Sequence, residues 1–148
     1  LMNQVCFDAF AVGNHEFDAG DAGLKRFLDY LSKRTWDCRT PALGANVAPE
    51  VGASPLARFS ARDYLLPHVV LERGGRRIGI VGIDVAQKTM RSSNPDAGTR
   101  FLDEAAIAQA QVDLLTAQGV DIIVLLTHVG YRSDLDLART LTGVDLIV

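Results

Sequence analysis

Asp121-Ile122-Ile123-Val124-Leu125-Leu126-Thr127-His128-Val129-Gly130 is the stretch that decides the fold class of this chain. Five consecutive aliphatic residues bounded by Asp121 and Thr127 read as a fully buried strand from the middle of a mostly parallel sheet. The strand delivers His128 to its carboxyl end, just before a glycine. A neutral imidazole in that position is a candidate metal ligand. Taken alone it is equally a helix cap or a loop's hydrogen-bond partner.

The neighbouring segments extend the same architecture. A helix is expected from near Asp103 to just before Gly119, which suits the C′ position, with Ile107, Ala108, Val112, Leu114 and Leu115 as its apolar stripe. A short helix from about residue 134 to 141 leads to a last strand over residues 144–148. This strand-helix-strand succession calls for right-handed crossovers and parallel pairing. Upstream, Val69-Val70-Leu71-Glu72 and Ile78-Gly79-Ile80-Val81-Gly82-Ile83 are two β-runs separated by Gly74-Gly75, hence a hairpin. His68 begins its first strand and is left out of any site. The fold class is α/β, a mostly parallel or mixed sheet with flanking helices.

A second strand end carries the densest chemistry. Phe7-Asp8-Ala9-Phe10-Ala11-Val12 reads as a short buried strand that meets Gly13-Asn14-His15-Glu16-Phe17 and Asp18. Asp21 can act as an N-cap, and Leu24, Phe27, Leu28 and Leu31 recur at helical spacing, so an amphipathic helix follows. Asn14, His15 and Asp18 therefore sit at the carboxyl end of a strand, where ligands bind in open α/β sheets. Singly, they read as a turn residue, a satisfied imidazole and a helix-entry cap. Together, an amide oxygen, an imidazole and a carboxylate in one turn, with His128 in a like position, favour a site for phosphoester chemistry.

The rest of the chain is less specific. Pro41-Ala42-Leu43-Gly44-Ala45-Asn46-Val47 suggests a short strand ending in Asn46, followed by a loop over residues 48–60. Residues 84–99 turn polar and read as a solvated loop long enough to be functional, in which Arg91 is a candidate for reaching a phosphate. The 148 residues are one domain's worth. A net charge of -3, with acids and bases dispersed, offers no basic stripe for nucleic acid polymers and no polybasic anchor. No apolar run is long enough for a membrane span. Cys6 and Cys38 have no Cys-x-x-Cys pairing and are expected to be free thiols.

Gly13-Asn14-His15-Glu16 with Phe17-Asp18, then Ala45-Asn46-Val47, then Thr127-His128-Val129-Gly130, resemble the 5'-nucleotidase branch of the calcineurin-like metallophosphoesterases. Residues 87–98 and the following helix resemble its bacterial members. The resemblance implies a partial αββα sandwich, with the whole chain a single truncated domain, residues 1–148. It assigns Asn14 as an amide-oxygen ligand and His128 as a histidine ligand of one of two divalent ions, zinc, manganese or similar. By the same resemblance His15 is a non-ligand that contacts the phosphoryl or leaving oxygens, and Asp18 orients its ring. The address it implies is the bacterial periplasm or the extracellular space.

The Asp-x-His and Gly-Asp motifs that open the family's pattern ahead of the Gly13 turn, and the Gly-His-x-His motif that ends it, are absent from the sequence. The expectation is a piece of a dinuclear-metal phosphohydrolase acting in nucleotide catabolism, lacking N-terminal and C-terminal parts of its own chain. The piece itself is expected to be inactive and to bind metal weakly or not at all. The substrate implied is a nucleotide or another phosphate ester. UDP-sugar, NAD or cyclic-nucleotide hydrolysis is an alternative, and so is a non-catalytic α/β binding domain.

Overall fold

A computed structural model describes residues 2–32 and 40–148. In chain order the elements are α1 (Met2–Val5), β1 (Phe10–Ala11), a 3-10 turn (Asn14–Phe17), α2 (Gly20–Leu31), β2 (Ala42–Leu43) and β3 (Val47–Pro49). There follow β4 (His68–Arg73), β5 (Arg76–Asp84), α3 (Ala86–Ser92), β6 (Thr99–Phe101), α4 (Glu104–Ala117), β7 (Ile122–His128), α5 (Tyr131–Thr140) and β8 (Leu146–Ile147). The largest sheet has the order β4-β5-β7-β8, with β4 antiparallel to β5 and the remaining pairs parallel. Two small sheets flank it, β1 parallel to β2 and β3 antiparallel to β6. The fold is α/β with mixed sheets, as expected.

Two apolar clusters hold these layers. One gathers Val12, Phe17, Leu24, Leu28, Leu31, Val47, Leu56 and Leu65, and so seats α2 beside the β1 strand end. The other sets Ala108, Val112 and Leu115 of α4 against Val81, Ile83, Ile123 and Leu125 of the main sheet. The helical periodicity of both helices is therefore real packing, and Asp103 caps α4 by accepting a bond from the Ala106 amide at 2.8 Å. Leu114, expected in the stripe, is instead exposed, because the buried face is narrower and follows residues 108, 112 and 115.

Several other expectations are corrected. The strand over residues 7–12 shrinks to two residues: Phe7 is exposed, and Asp8 pairs in solvent with Arg73 at 2.7 Å. The strand through residues 41–47 is divided into β2 and β3. Asp21 is not the N-cap of α2, a position held by Ala19; it is fully buried and accepts bonds from Ser54 Oγ, Thr99 Oγ1 and the Asp96 amide. The polar 84–99 segment is not a plain loop, since Ala86–Ser92 is helical and the Glu104 carboxylate accepts the otherwise orphaned Ala86 amide at 2.9 Å. In β7 only Ile123 and Leu125 are buried, so the strand is covered fully on one face. Helix α5 begins at Tyr131, earlier than expected. Cys6 is disulfide-bonded rather than free, which spacing alone could not reveal because bridging depends on Cα proximity. Cys38, the other cysteine of the chain, lies outside the described residues.

Gly82 of β5 lies close against Leu43 of β2. A Cβ there would lie 2.9 Å from the backbone carbonyl carbon and oxygen of Leu43, which cannot yield as a side chain would. Gly82→Ala is expected to destabilise the protein by about 1–3 kcal/mol through overpacking. Urea titration checks this; an unchanged midpoint would mean that the two strands separate at little cost.

Candidate active site

Packing between two sheets, not strand pairing, brings the two motif ends together, since β1 pairs with β2 while β7 lies in the main sheet. The parallel register of β5 and β7 places Asp84 opposite His128, while β1 leads through Val12 and Gly13 into the 3-10 turn. Gly13 is required there by proximity: a Cβ on it would sit 2.7 Å from two atoms of the His128 ring. With that space kept open, His128 Nε2 approaches Asn14 Oδ1 to 3.1 Å across 114 residues of sequence. Asn14 is fully buried and its Nδ2 has no hydrogen-bond partner.

The other two candidates form a separate pair on the same turn. His15 Nδ1–H donates to Asp18 Oδ2 at 2.7 Å, with both side chains at least half exposed. The bond from His15 and then one from Ser93 hold the Asp18 carboxyl below its ordinary range, so it is an acceptor at neutral pH. Since Nδ1 is engaged, Nε2 is the ring atom left for an incoming group. Glu16 stays out of this chemistry. Its carboxylate accepts the Gly13 amide at 2.7 Å and closes the turn on itself.

The four residues picked from the sequence thus form two pairs that share the 14–18 turn: Asn14 with His128, and His15 with Asp18. His68 lies elsewhere, at the start of β4, bonded to Gln111 Oε1 at 2.7 Å. Asn46 is a structural clasp, its amide accepting the Asp84 N–H at 2.9 Å and donating to the Asp84 carbonyl at 2.8 Å. Arg91 stands exposed in the last turn of α3.

The residue that sequence reasoning missed is Asp84. It is fully buried at the end of β5; Oδ2 accepts from Thr89 Oγ1 at 2.6 Å, and Oδ1 has no partner. Burial raises its pKa to about 6, with Glu16 adding to the rise and Thr89, the Val85 amide and His128 opposing it. A carboxylate ending the aliphatic run 78–83 was the available signal.

Donor chemistry can be tested against a divalent ion. The 3.1 Å separation of Asn14 Oδ1 and His128 Nε2 is compatible with two adjacent ligands of one ion, which lie roughly 3 Å apart for ~2.1 Å bonds near a right angle. The two residues fit such a group. Among the described residues, no three His, Cys, Asp or Glu side chains gather to complete a shell.

With this geometry in hand, the likeness to known proteins is informative. A probable 5'-nucleotidase of Treponema pallidum (strain Nichols) is 40% identical over 149 residues, covering 100% of this chain and 23% of that protein. Over its whole length, the chain is homologous to a segment of 5'-nucleotidases. The solved NAD nucleotidase of Haemophilus influenzae superposes with a TM-score of 0.85 at 35% identity, over 99% of this chain and 26% of that one. A 5'-nucleotidase precursor from Thermus thermophilus gives 0.83 at 38% identity, again over 99% and 26%. The chain therefore spans about a quarter of the length of these relatives. No family model matches it.

Proposed function

We propose that this chain is part of a metal-dependent phosphohydrolase acting on nucleotides, with 5'-nucleotidase activity as the reading best supported. The observation that carries it is the meeting of two strand ends: Asn14 Oδ1 and His128 Nε2 at 3.1 Å beside a His15–Asp18 pair at 2.7 Å. Asn14 and His128 would hold one divalent ion of a dinuclear site, with zinc and manganese both suited to mixed nitrogen and oxygen donors. Further donors would come from outside the described residues. Divalent cations in such a site supply polarisation of the phosphoryl group and an activated water.

The chain's own residues then divide the remaining work. Charge builds on the leaving oxygen as its bond to phosphorus breaks. Protonated His15 donates from Nε2 to that oxygen, and Asp18 behind the ring fixes the orientation and stabilises the imidazolium. Asn14, bound at the strand end next to Gly13, keeps the adjoining His15 within reach of the same phosphate.

The relatives support the substrate class, since their names specify 5'-nucleotidase and NAD nucleotidase. A periplasmic or extracellular setting is proposed from the disulfide at Cys6, a bond that persists in oxidising compartments, and from the Thermus relative being described as a precursor. No helix among the described residues is long and apolar enough to cross a membrane.

The test is phosphate release by the full-length protein, stripped with chelator and resupplied with zinc or manganese. The panel comprises nucleoside monophosphates, NAD, a UDP-sugar and a cyclic nucleotide. Metal-dependent hydrolysis of a nucleoside monophosphate is expected. Absence of hydrolysis across the panel, or hydrolysis indifferent to metal, would overturn the reading.

A further inference from the structure

We propose that Ser93 and Asn94, on the connection from α3 to β6, are positioning residues for the His15–Asp18 pair. The proposal rests on the reading of His15 as the leaving-group partner. Left to itself, a half-exposed aspartate on a short turn would exchange rotamers, and the imidazole bonded to it would swing with it. Asp18 is not left to itself. Its Oδ2 is taken by His15, and Ser93 Oγ donates to Oδ1 at 2.8 Å. Asn94 Nδ2 donates to the Asp18 backbone carbonyl at 2.9 Å, and the Asn94 amide to the Phe17 carbonyl at 3.1 Å.

With both carboxylate oxygens engaged, the carboxylate plane is set, and so is the direction from which Nδ1–H must approach. These bonds bridge 75 and 76 residues of sequence, so they are not local capping of the turn. Moreover, the clasp is itself anchored. Ser93 is the C-cap of α3, its amide donating to the Thr89 carbonyl at 3.2 Å. Thr89 in turn donates to Asp84, at the end of β5 beside His128. Downstream, the Asp96 amide donates to buried Asp21 at 3.1 Å in the first turn of α2. The connection thus fastens the His15 turn to the strand pair that delivers His128.

The discriminating substitution is Ser93→Ala. It removes the bond to the carboxylate and leaves both Asn94 bonds in place, so the fold should survive. Full-length protein labelled with 15N-histidine reports the tautomer of neutral His15 through long-range proton–nitrogen correlations. Native protein is expected to show Nδ1–H predominating, and Ser93→Ala a mixture shifted towards Nε2–H, with Ser93→Thr restoring the native pattern. Turnover should fall about tenfold in Ser93→Ala with KM nearly unchanged.

An unshifted His15 tautomer in a folded Ser93→Ala protein would overturn the proposal. So would a loss of turnover matched by an equal rise in KM. Should the native protein hydrolyse nothing, the proposed function falls, while the tautomer comparison still decides the positioning role.

Discussion

Replacing His15 with glutamine in the full-length protein lowers turnover of a nucleoside monophosphate by about 10²–10⁴-fold, the range for loss of a positioned acid, while bound metal stays near the native level. His15 lies in the same turn as Asn14, yet its ring faces Asp18, while the imidazole that meets the Asn14 amide oxygen belongs to His128. Glutamine keeps a polar side chain on an exposed position and cannot carry the proton. Metal content measured beside kcat separates the two roles. Loss of metal in step with loss of turnover would make His15 a ligand and refute its assignment to the leaving group.

Asp84→Asn is expected to stabilise the metal-free protein at alkaline pH. The folded-state pKa of about 6 stands above the 3.8 of an ordinary aspartate. Between those values the unfolded chain has released its proton and the folded one has kept it. Stability conferred by the protonated form is therefore whole below pH 3.8 and is lost as pH rises through about 6. The displacement corresponds to about 3 kcal/mol once the group is ionised in both states. Asparagine retains an oxygen for the Thr89 hydroxyl and carries no charge. Its advantage over the native protein should grow from about none below pH 3.8, through an intermediate value at pH 5, to about 3 kcal/mol at pH 8. Urea midpoints at the three pH values check this. A difference that does not vary with pH would mean that Asp84 does not titrate in this window.

Much of the molecule was legible because its signals are local. The alternation of β4 and β5 around Gly74-Gly75 required a hairpin, and one stands there. Leu24, Leu28 and Leu31 are buried as helical spacing demands. Asn14, His15, Asp18 and His128 were nominated by residue type at strand ends, and those strand ends are neighbours. Where the reading failed, a distant partner had decided the outcome. Asp21 looks like a cap until Ser54 and Thr99 are found bonded to it. Residues 84–99 read as a loop because Glu104, which caps its helix, lies beyond them. Asp84 offered only its place at the end of the 78–83 run, and an acid ending a strand is ordinary until burial makes it costly.

The sequence by itself determined the α/β class and the site's ingredients, because strand and helix periodicity, turn residues and the chemistry of each side chain are written over a few neighbouring positions. Only the tertiary structure decided how those ingredients pair. The distance from Asn14 to His128, the fixing of Asp18 by Ser93 and the burial of Asp84 arise from contacts spanning tens to more than a hundred residues. Such contacts depend on how sheets and helices pack in space, and no local pattern encodes that.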